Sequence, residues 1–334
     1  YKLDVAYLRK LGINTCLLDP RKLRLYGNGG GQLPQANDAH RLVDLIENAV
    51  WVKGEADGKF DADDALYFYA ESPHRVAWDS ASAAFSHRIN PYSDTTYFFL
   101  TIGQEPGLRI RTLPERTVAT EERQRSFTDY WYHEQEQTNL LQSGRAWWGE
   151  FLGISGRLTL EASLPDIVPN STALLRTGVL AAAQVPTFFV WTVNGAAVGK
   201  QAAGTVSTQR YDLRAVEVAD SFGFTMSAAP PGRLPITVVF EKNGQLNAQA
   251  YLDYVSVQVE RVLRPYASQQ LYRFSPIKRT ERARGYALQR PDPSWMLWDV
   301  TMPQRVGAVV GQPQAGELVF ALPDSSTTLI GFRP

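Results

Sequence analysis

Apolar and polar positions alternate along much of this chain with a period of two, the spacing that places successive side chains on opposite faces of a strand. "YVSVQVERV" (254–262) shows it most plainly. Runs rich in aromatic and β-branched residues recur between Gly, Pro, Asn and Asp. They are "LRLYG" (23–27), "AVWVKG" (49–54), "ALYFYA" (65–70), "TTYFFLTIG" (95–103), "LRIRTL" (108–113), "RLTLEASL" (157–164), "ALLRTGVLAAA" (173–183), "TFFVWTVNG" (187–195), "FGFTMSA" (222–228), "LPITVVFEKNG" (234–244) and "AYLDYVSVQVERVL" (250–263). Each predicts a short strand. Asn194-Gly195 predicts a two-residue hairpin turn.

Helical spacing is rarer. "YLRKLGI" (7–13) predicts one short helix stopped by Gly12. "NDAHRLVDLIENA" (37–49) places Leu42, Leu45 and Ile46 at helical intervals. The strongest pattern is "TEERQRSFTDYWYHEQEQTNLLQSG" (120–144). There Phe127, Tyr130 and Trp131 share a face, Leu140 and Leu141 extend it, and Ser143-Gly144 ends it. The expectation is a mainly β protein: an N-terminal β-rich domain over 1–118, a linking helix over 119–145, and a jelly-roll-like β-sandwich over 146–334. Residues 280–334 read as a further strand set. They either complete the sandwich, stand separately, or return to the first domain and make the sandwich an insertion.

Composition narrows the classes. The 334 residues suffice for about two domains. The 34 Lys and Arg balance 34 Asp and Glu, so no broad basic field exists to hold a nucleic acid. The one basic run, "KRTERARGYALQR" (278–290), reads as a solvated loop or strand face. No apolar stretch reaches the roughly 18–20 residues of a membrane-spanning helix. The single cysteine, Cys16, excludes a disulfide within the chain and a cysteine-based zinc site. Its apolar neighbours predict a buried structural thiol. The chain opens at Tyr1 inside a patterned segment, so it reads as a piece of a longer protein whose targeting information has been removed.

Candidate chemistry is sparse. His133-Glu134 begins a zinc-peptidase motif, but position 137 is Gln where the second histidine belongs. "YGNGGGQLP" (26–34) lacks the Gly-Lys-Ser/Thr ending of a phosphate loop, and Pro34 interrupts any following helix, so it reads as a wide turn. "KGEADGKFDADDALYFY" (53–69) concentrates five carboxylates around Gly58. With Gly58 at the sixth position of a calcium loop, Asp57, Asp61 and Asp64 fall at ligand positions and Glu55 is tolerable. Lys53 then sits where the first carboxylate belongs and repels a cation. The preferred reading is a capped turn: Asp57-Gly58 forms a tight turn, Phe60 enters a core, and Asp61 caps a helical turn carrying Asp63 and Asp64. Calcium is the lesser reading. No catalytic, cofactor-binding or metal residue is assigned.

Several stretches, taken together and in order, carry a resemblance. They are "LDPRKLRLYGNGGGQLP", "DLIENAVWVKGEADGKFDADDALYFYAESPH", "NPYSDTTYFFLTIG", "HEQEQTNLLQSGRAWWGEFL", "AYLDYVSVQVERVLR" and "MLWDVTMP". This set resembles the region preceding the peptidase domain in PorU-type proteins, the gingipain-like cysteine peptidases that act as sortase of the type IX secretion system of Bacteroidetes. The resemblance spans nearly the whole chain. It implies a full-length protein on the outer-membrane surface that removes C-terminal sorting domains from cargo and couples cargo to anionic lipopolysaccharide. It implies partners among the other outer-membrane attachment-complex proteins. The catalytic Cys-His dyad would lie in a later α/β domain, and Cys16 does not match it. This chain would then support the peptidase domain or dock a partner or cargo. The competing reading is a cell-surface carbohydrate- or protein-binding sandwich using Trp147, Trp148 or Trp191. A hydrolase built on His74 and His87 ranks last.

Overall fold

In the computed structural model, the centre of the predicted linking helix is a strand, Ser126–Glu134. The structure describes residues 1–79, 81–115, 123–140, 144, 146–209, 212–226, 232–275, 284–323 and 327–334; Leu141 and Ser143 of that predicted helix lie outside them. The correction has a physical cause. Ser126–Glu134 pairs antiparallel with Gln249–Val262, Phe127 opposite Arg261 and Trp131 opposite Val257. Phe127 and Trp131, four residues apart, satisfy helical spacing and strand alternation equally. Strand-favouring aromatics and a distant partner decide between them.

That strand opens a sandwich that closes before the predicted boundary. Ser126–Val262 is one compact unit, and Tyr1–Arg125 with Leu263–Pro334 is the other. The predicted domain spans of 1–118 and 146–334 are therefore corrected. Of the three readings of the last stretch, the return to the first unit holds, and the sandwich is an insertion. Backbone pairing marks the junction within the first unit: the Leu263 N–H donates to the Arg125 carbonyl at 2.8 Å.

Among the described residues, the inserted unit contributes four antiparallel strands to each of two sheets. The first runs Val216–Thr225, Thr172–Ala182, Gln249–Val262, Ser126–Glu134. The second runs Arg157–Ser163, Arg233–Glu241, Thr187–Val193, Ala196–Ala203. First and last strands are neighbours and, apart from the hairpin at Asn194-Gly195, the chain alternates between sheets, which is jelly-roll connectivity. The core between the sheets includes Leu175, Val179, Phe189, Trp191, Ile236, Leu252, Val255, Val257 and Val259. Asn194 (φ 51°) and Gly195 (φ 78°) form the predicted hairpin turn, both in the left-handed region a type I′ turn requires.

Two polar features cross this apolar interior. Gln201, fully buried, accepts from the Thr177 hydroxyl (3.0 Å) and the Trp191 indole N–H (3.2 Å) and donates to the Val218 carbonyl (2.9 Å). It thus ties side chains of both sheets together. Arg261 shares the inward face of Val255, Val257 and Val259. It is buried against Asp129, donates to the Pro165 carbonyl at 2.6 Å, and lies over the Phe127 ring.

The discontinuous unit is built from smaller pieces. Ala65–Tyr67 lies between Lys2–Asp4 and Trp51–Lys53, and Leu23–Tyr26 lies between Glu47–Asn48 and Phe99–Ile102. From the C-terminal stretch, Gln269–Arg273, Thr328–Phe332, Met296–Asp299 and Gly307–Val309 pair in that order, and Gly307–Val309 also pairs with Arg111–Thr112. Ala65 and Tyr67 share a core with Trp298, Val300, Ile330 and Phe332, which is the packing that draws the chain's end back to its beginning. The predicted short helix is Val5–Lys10. The Asp4 carboxylate accepts from the Tyr7 N–H at 2.9 Å, Val5 and Leu8 are buried, and Gly12 (φ 82°) follows.

The predicted helix at 37–49 does not form. Leu42, Val43 and Leu45 are exposed, with no apolar surface to stabilise a helix. Local side chains take the backbone groups instead: Asn28 bonds the Ile46 N–H and the Asp44 carbonyl, and Arg41 donates to the Pro34 and Ala36 carbonyls. In the basic run at 278–290, residues 278–283 lie outside the described residues. Arg284–Gln289 is a strand with Tyr286, Ala287 and Leu288 buried.

Candidate functional site

The acidic stretch folds as a turn, though not with the predicted cap. Gly54 (φ 88°) and Gly58 (φ 76°) bracket a 3-10 turn, Glu55–Asp57. The Asp57 carboxylate accepts from the Lys59 N–H at 3.0 Å and Phe60 is buried, as expected. Asp61 caps no helix. The Asp64 carboxylate reaches back to the Asp61 N–H at 2.8 Å, while the Asp64 N–H donates to the Asp61 carbonyl at 3.1 Å. Asp64 is the buried member because it packs against Gly54, where an added Cβ would stand 1.6 Å from its Oδ1. Glu55 is engaged by Arg109 at 2.7 Å, and Arg109 also donates to the Pro20 and Arg21 carbonyls. These carboxylates serve the turn and its anchor. Among the described residues, no group of three or more His, Cys, Asp and Glu side chains is placed to hold a metal ion.

Other candidates separate in space. As neighbours on a strand, His133 and Glu134 point to opposite faces. His133 Nε2 meets Glu150 Oε1 at 2.6 Å, and its ring stacks beside Trp131. His74 accepts the Asn90 N–H at Nδ1 (3.0 Å) and meets Asp94 through Nε2 (3.3 Å), while His87 sits opposite Val76 on a hairpin. The glycine-rich segment is a turn against 72–75: a Cβ at Gly30 would stand 2.1 Å from the Ser72 carbonyl oxygen, and Arg75 donates to the Gly30 carbonyl. Cys16 is exposed, correcting the buried-thiol expectation. The short helix and the 3-10 turn Thr15–Leu17 hold it at the surface, with the Asn14 side chain accepting its N–H at 3.1 Å. Trp148 and Trp191 are buried, so of the three proposed stacking rings only Trp147 is open to solvent.

Two features were not anticipated. The first is an acidic patch on the sandwich. Asp253 stands where the register shifts between Gly178 and Val179. Burial first, then the charges of Glu134, Glu217 and Glu136, push its carboxyl up to about 7. The second is a groove of about 780 Å³ in the discontinuous unit, lined by Tyr7, Leu11, Ile13, Phe98, Phe99 and Leu100 among others. Its sequence signal was present: "TTYFFLTIG" is apolar at consecutive positions, which predicts burial on both faces. Instead Tyr97 is 71% and Phe99 55% exposed.

No protein-family model matches this chain, and no curated protein matches it in sequence. Similarity to solved structures is substantial. Dimeric latent PorU from Porphyromonas gingivalis matches over 100% of this chain with a TM-score of 0.83 and 20% identity. The chain spans 31% of that protein's length. Two carbohydrate-binding modules cover 30% of the chain: the first CBM36 domain of a xylanase from the Trinervitermes trinervoides hindgut metagenome (12% identity, TM-score 0.19), covered over 68% of its length, and a CBM36 module in complex with calcium and xylotriose (12%, 0.20), covered over 71%. At those scores they carry no weight. The chain as a whole has the fold of a segment of PorU.

Proposed function

We propose that this chain is the non-catalytic region ahead of the peptidase domain in a gingipain-like type IX secretion sortase, and that it supports that domain or docks cargo and partners. The observation that carries this is the fold shared with PorU along the whole chain, insertion included. The ordered sequence resemblance supports it independently. The full-length protein would be exported, stand at the outer-membrane surface beside the attachment-complex proteins, remove C-terminal sorting domains and attach cargo to anionic lipopolysaccharide. The thiolate for that chemistry would come from the later domain. The surroundings of Cys16 agree: the surface groove around it is lined by Asp4, Arg9, Lys59 and Asp61 among others, and no histidine lines it.

The test has two arms. The coding sequence after Pro334 is expected to encode an α/β gingipain-like domain with a histidine and a cysteine; an unrelated sequence there would end the proposal. The isolated chain, incubated with a cargo sorting-domain peptide, is expected to leave it intact. Cleavage by the isolated chain that is lost in Cys16→Ala would place catalysis in this chain and reject the supporting role.

A further inference from the structure

We propose that the free edge of strand Phe99–Ile102, with the groove beside it, binds an extended segment of another protein by strand addition, and that this segment has alternating apolar side chains and a basic residue. The proposal does not rest on the sortase reading.

The edge follows from the register. Phe99–Ile102 pairs on one side with Leu23–Tyr26, Leu25 opposite Leu100 and Leu23 opposite Ile102. The Gly103 N–H donates to the Lys22 carbonyl at 2.9 Å, so Lys22 and Gly103 are a hydrogen-bonded pair. Antiparallel ladders alternate, so Arg24–Thr101 is the next bonded pair. Leu100 and Ile102 then turn their N–H and C=O groups away from the sheet. Among the described residues no strand takes them, because Phe99–Ile102 ends its three-stranded sheet. An open ladder specifies an extended backbone as its complement.

The walls give the rest of the occupant's chemistry. Phe98, Phe99 and Leu100 run from this strand into the groove, which Tyr7, Leu11 and Ile13 continue. Phe99 and Ile102 are each more than half exposed. The Thr96 hydroxyl, also in the lining, is buried at the atom level without a hydrogen-bond partner. Among the described residues, the charged side chains of the lining are Glu71 and Asp94, both acidic, and His74 approaches only the second, through Nε2 at 3.3 Å. Burial raises the Glu71 carboxyl and Arg75 only partly opposes this, so a Lys or Arg brought by the occupant is the electrostatic complement. A second copy of this chain fits less well, because it would bring the same two acids.

The experiment uses the full chain, immobilised and panned against phage-displayed random peptides roughly twelve residues long, enough to pair along a strand of ordinary length. Enriched peptides are synthesised and measured by fluorescence anisotropy, with hydrogen exchange on the complex. The expected result is alternating apolar peptides carrying Lys or Arg that protect the Leu100 and Ile102 amides. Ile102→Pro, which removes an outward N–H and leaves the ladder to Leu23–Tyr26 intact, weakens them about tenfold. Phe99→Glu alters an exposed side chain, tests the same surface if the proline variant fails to fold, and is expected to weaken them too. Absence of enrichment, protection elsewhere, equal binding by a folded variant, or self-association of the chain through this edge would overturn the proposal.

Discussion

Gln201→Leu is expected to loosen the sandwich far more than its near-isosteric change suggests. The native amide satisfies three buried groups: the Thr177 hydroxyl, the Trp191 indole N–H and the Val218 carbonyl. Leucine fills the space but bonds none of them. A buried polar group left without a partner costs about 1–3 kcal/mol, so three define an upper range of about 3–9 kcal/mol. Leucine's apolar burial returns about 1–2 kcal/mol, and the Thr177 hydroxyl is free to rotate toward a backbone carbonyl. Two groups then stay unpaired at about 2 kcal/mol each, so the expected net loss is about 2–3 kcal/mol. Urea unfolding followed by far-UV circular dichroism measures it, with the m-value checked because two units need not unfold together. Thr177→Val sharpens the test. Alone it removes one bond, for a loss of about 1 kcal/mol. In the Gln201→Leu background it removes an unpaired hydroxyl and is expected to be neutral or stabilising. A Gln201→Leu loss below about 1 kcal/mol, or simple additivity of the two changes, would refute the idea that this network joins the sheets.

Asp253→Asn tests the acidic patch. The carboxyl has an ordinary value near 3.8 and is raised to about 7 in the fold, so its stabilising contribution is complete below about pH 4 and is lost as pH rises through 7. The variant should melt higher than the native chain at pH 8, with the advantage shrinking as pH falls and gone by about pH 4; equal melting at pH 8 would contradict this. Asp129→Ala strands Arg261 in the core and is expected to cost about 3–5 kcal/mol, with much of the loss recovered by Asp129→Leu paired with Arg261→Met; the urea midpoints decide. Gly54→Ala forces a Cβ to 1.6 Å from Asp64 Oδ1 at a φ of 88° and is expected to lower the melting temperature more than Gly244→Ala, at an equally positive φ with nothing within 4 Å. Millimolar calcium is expected to leave the native midpoint unchanged, whereas a calcium-dependent rise would show that the acidic turn opens to take a cation.

The sequence announces the sandwich's interior more clearly than its boundaries. Val255, Val257 and Val259 alternate in the sequence and are buried in the fold, and Asn194-Gly195 turns where its chemistry requires. Arg261 marks the limit of that reading. It continues the valine face by position, so alternation alone would point a charge into the core. The countercharge that makes that position acceptable comes from Asp129, more than a hundred residues earlier, and pattern within a window carries no information about such a partner. Ser126–Glu134 is ambiguous in sequence for the same reason. Phe127 and Trp131 suit either period, and what selects the strand is the ladder offered by Gln249–Val262. Once that pairing is known, the insertion follows, because the sandwich's first and last strands are neighbours and the chain must re-enter the other unit beside the point where it left. The groove was hidden differently. Consecutive apolar residues at 97–100 predict burial, and a sequence does not say whether the covering surface belongs to the same chain. Here Phe99 and Ile102 remain open beside unpaired backbone, so the position where the prediction of burial fails is also the position with unfilled capacity to bind.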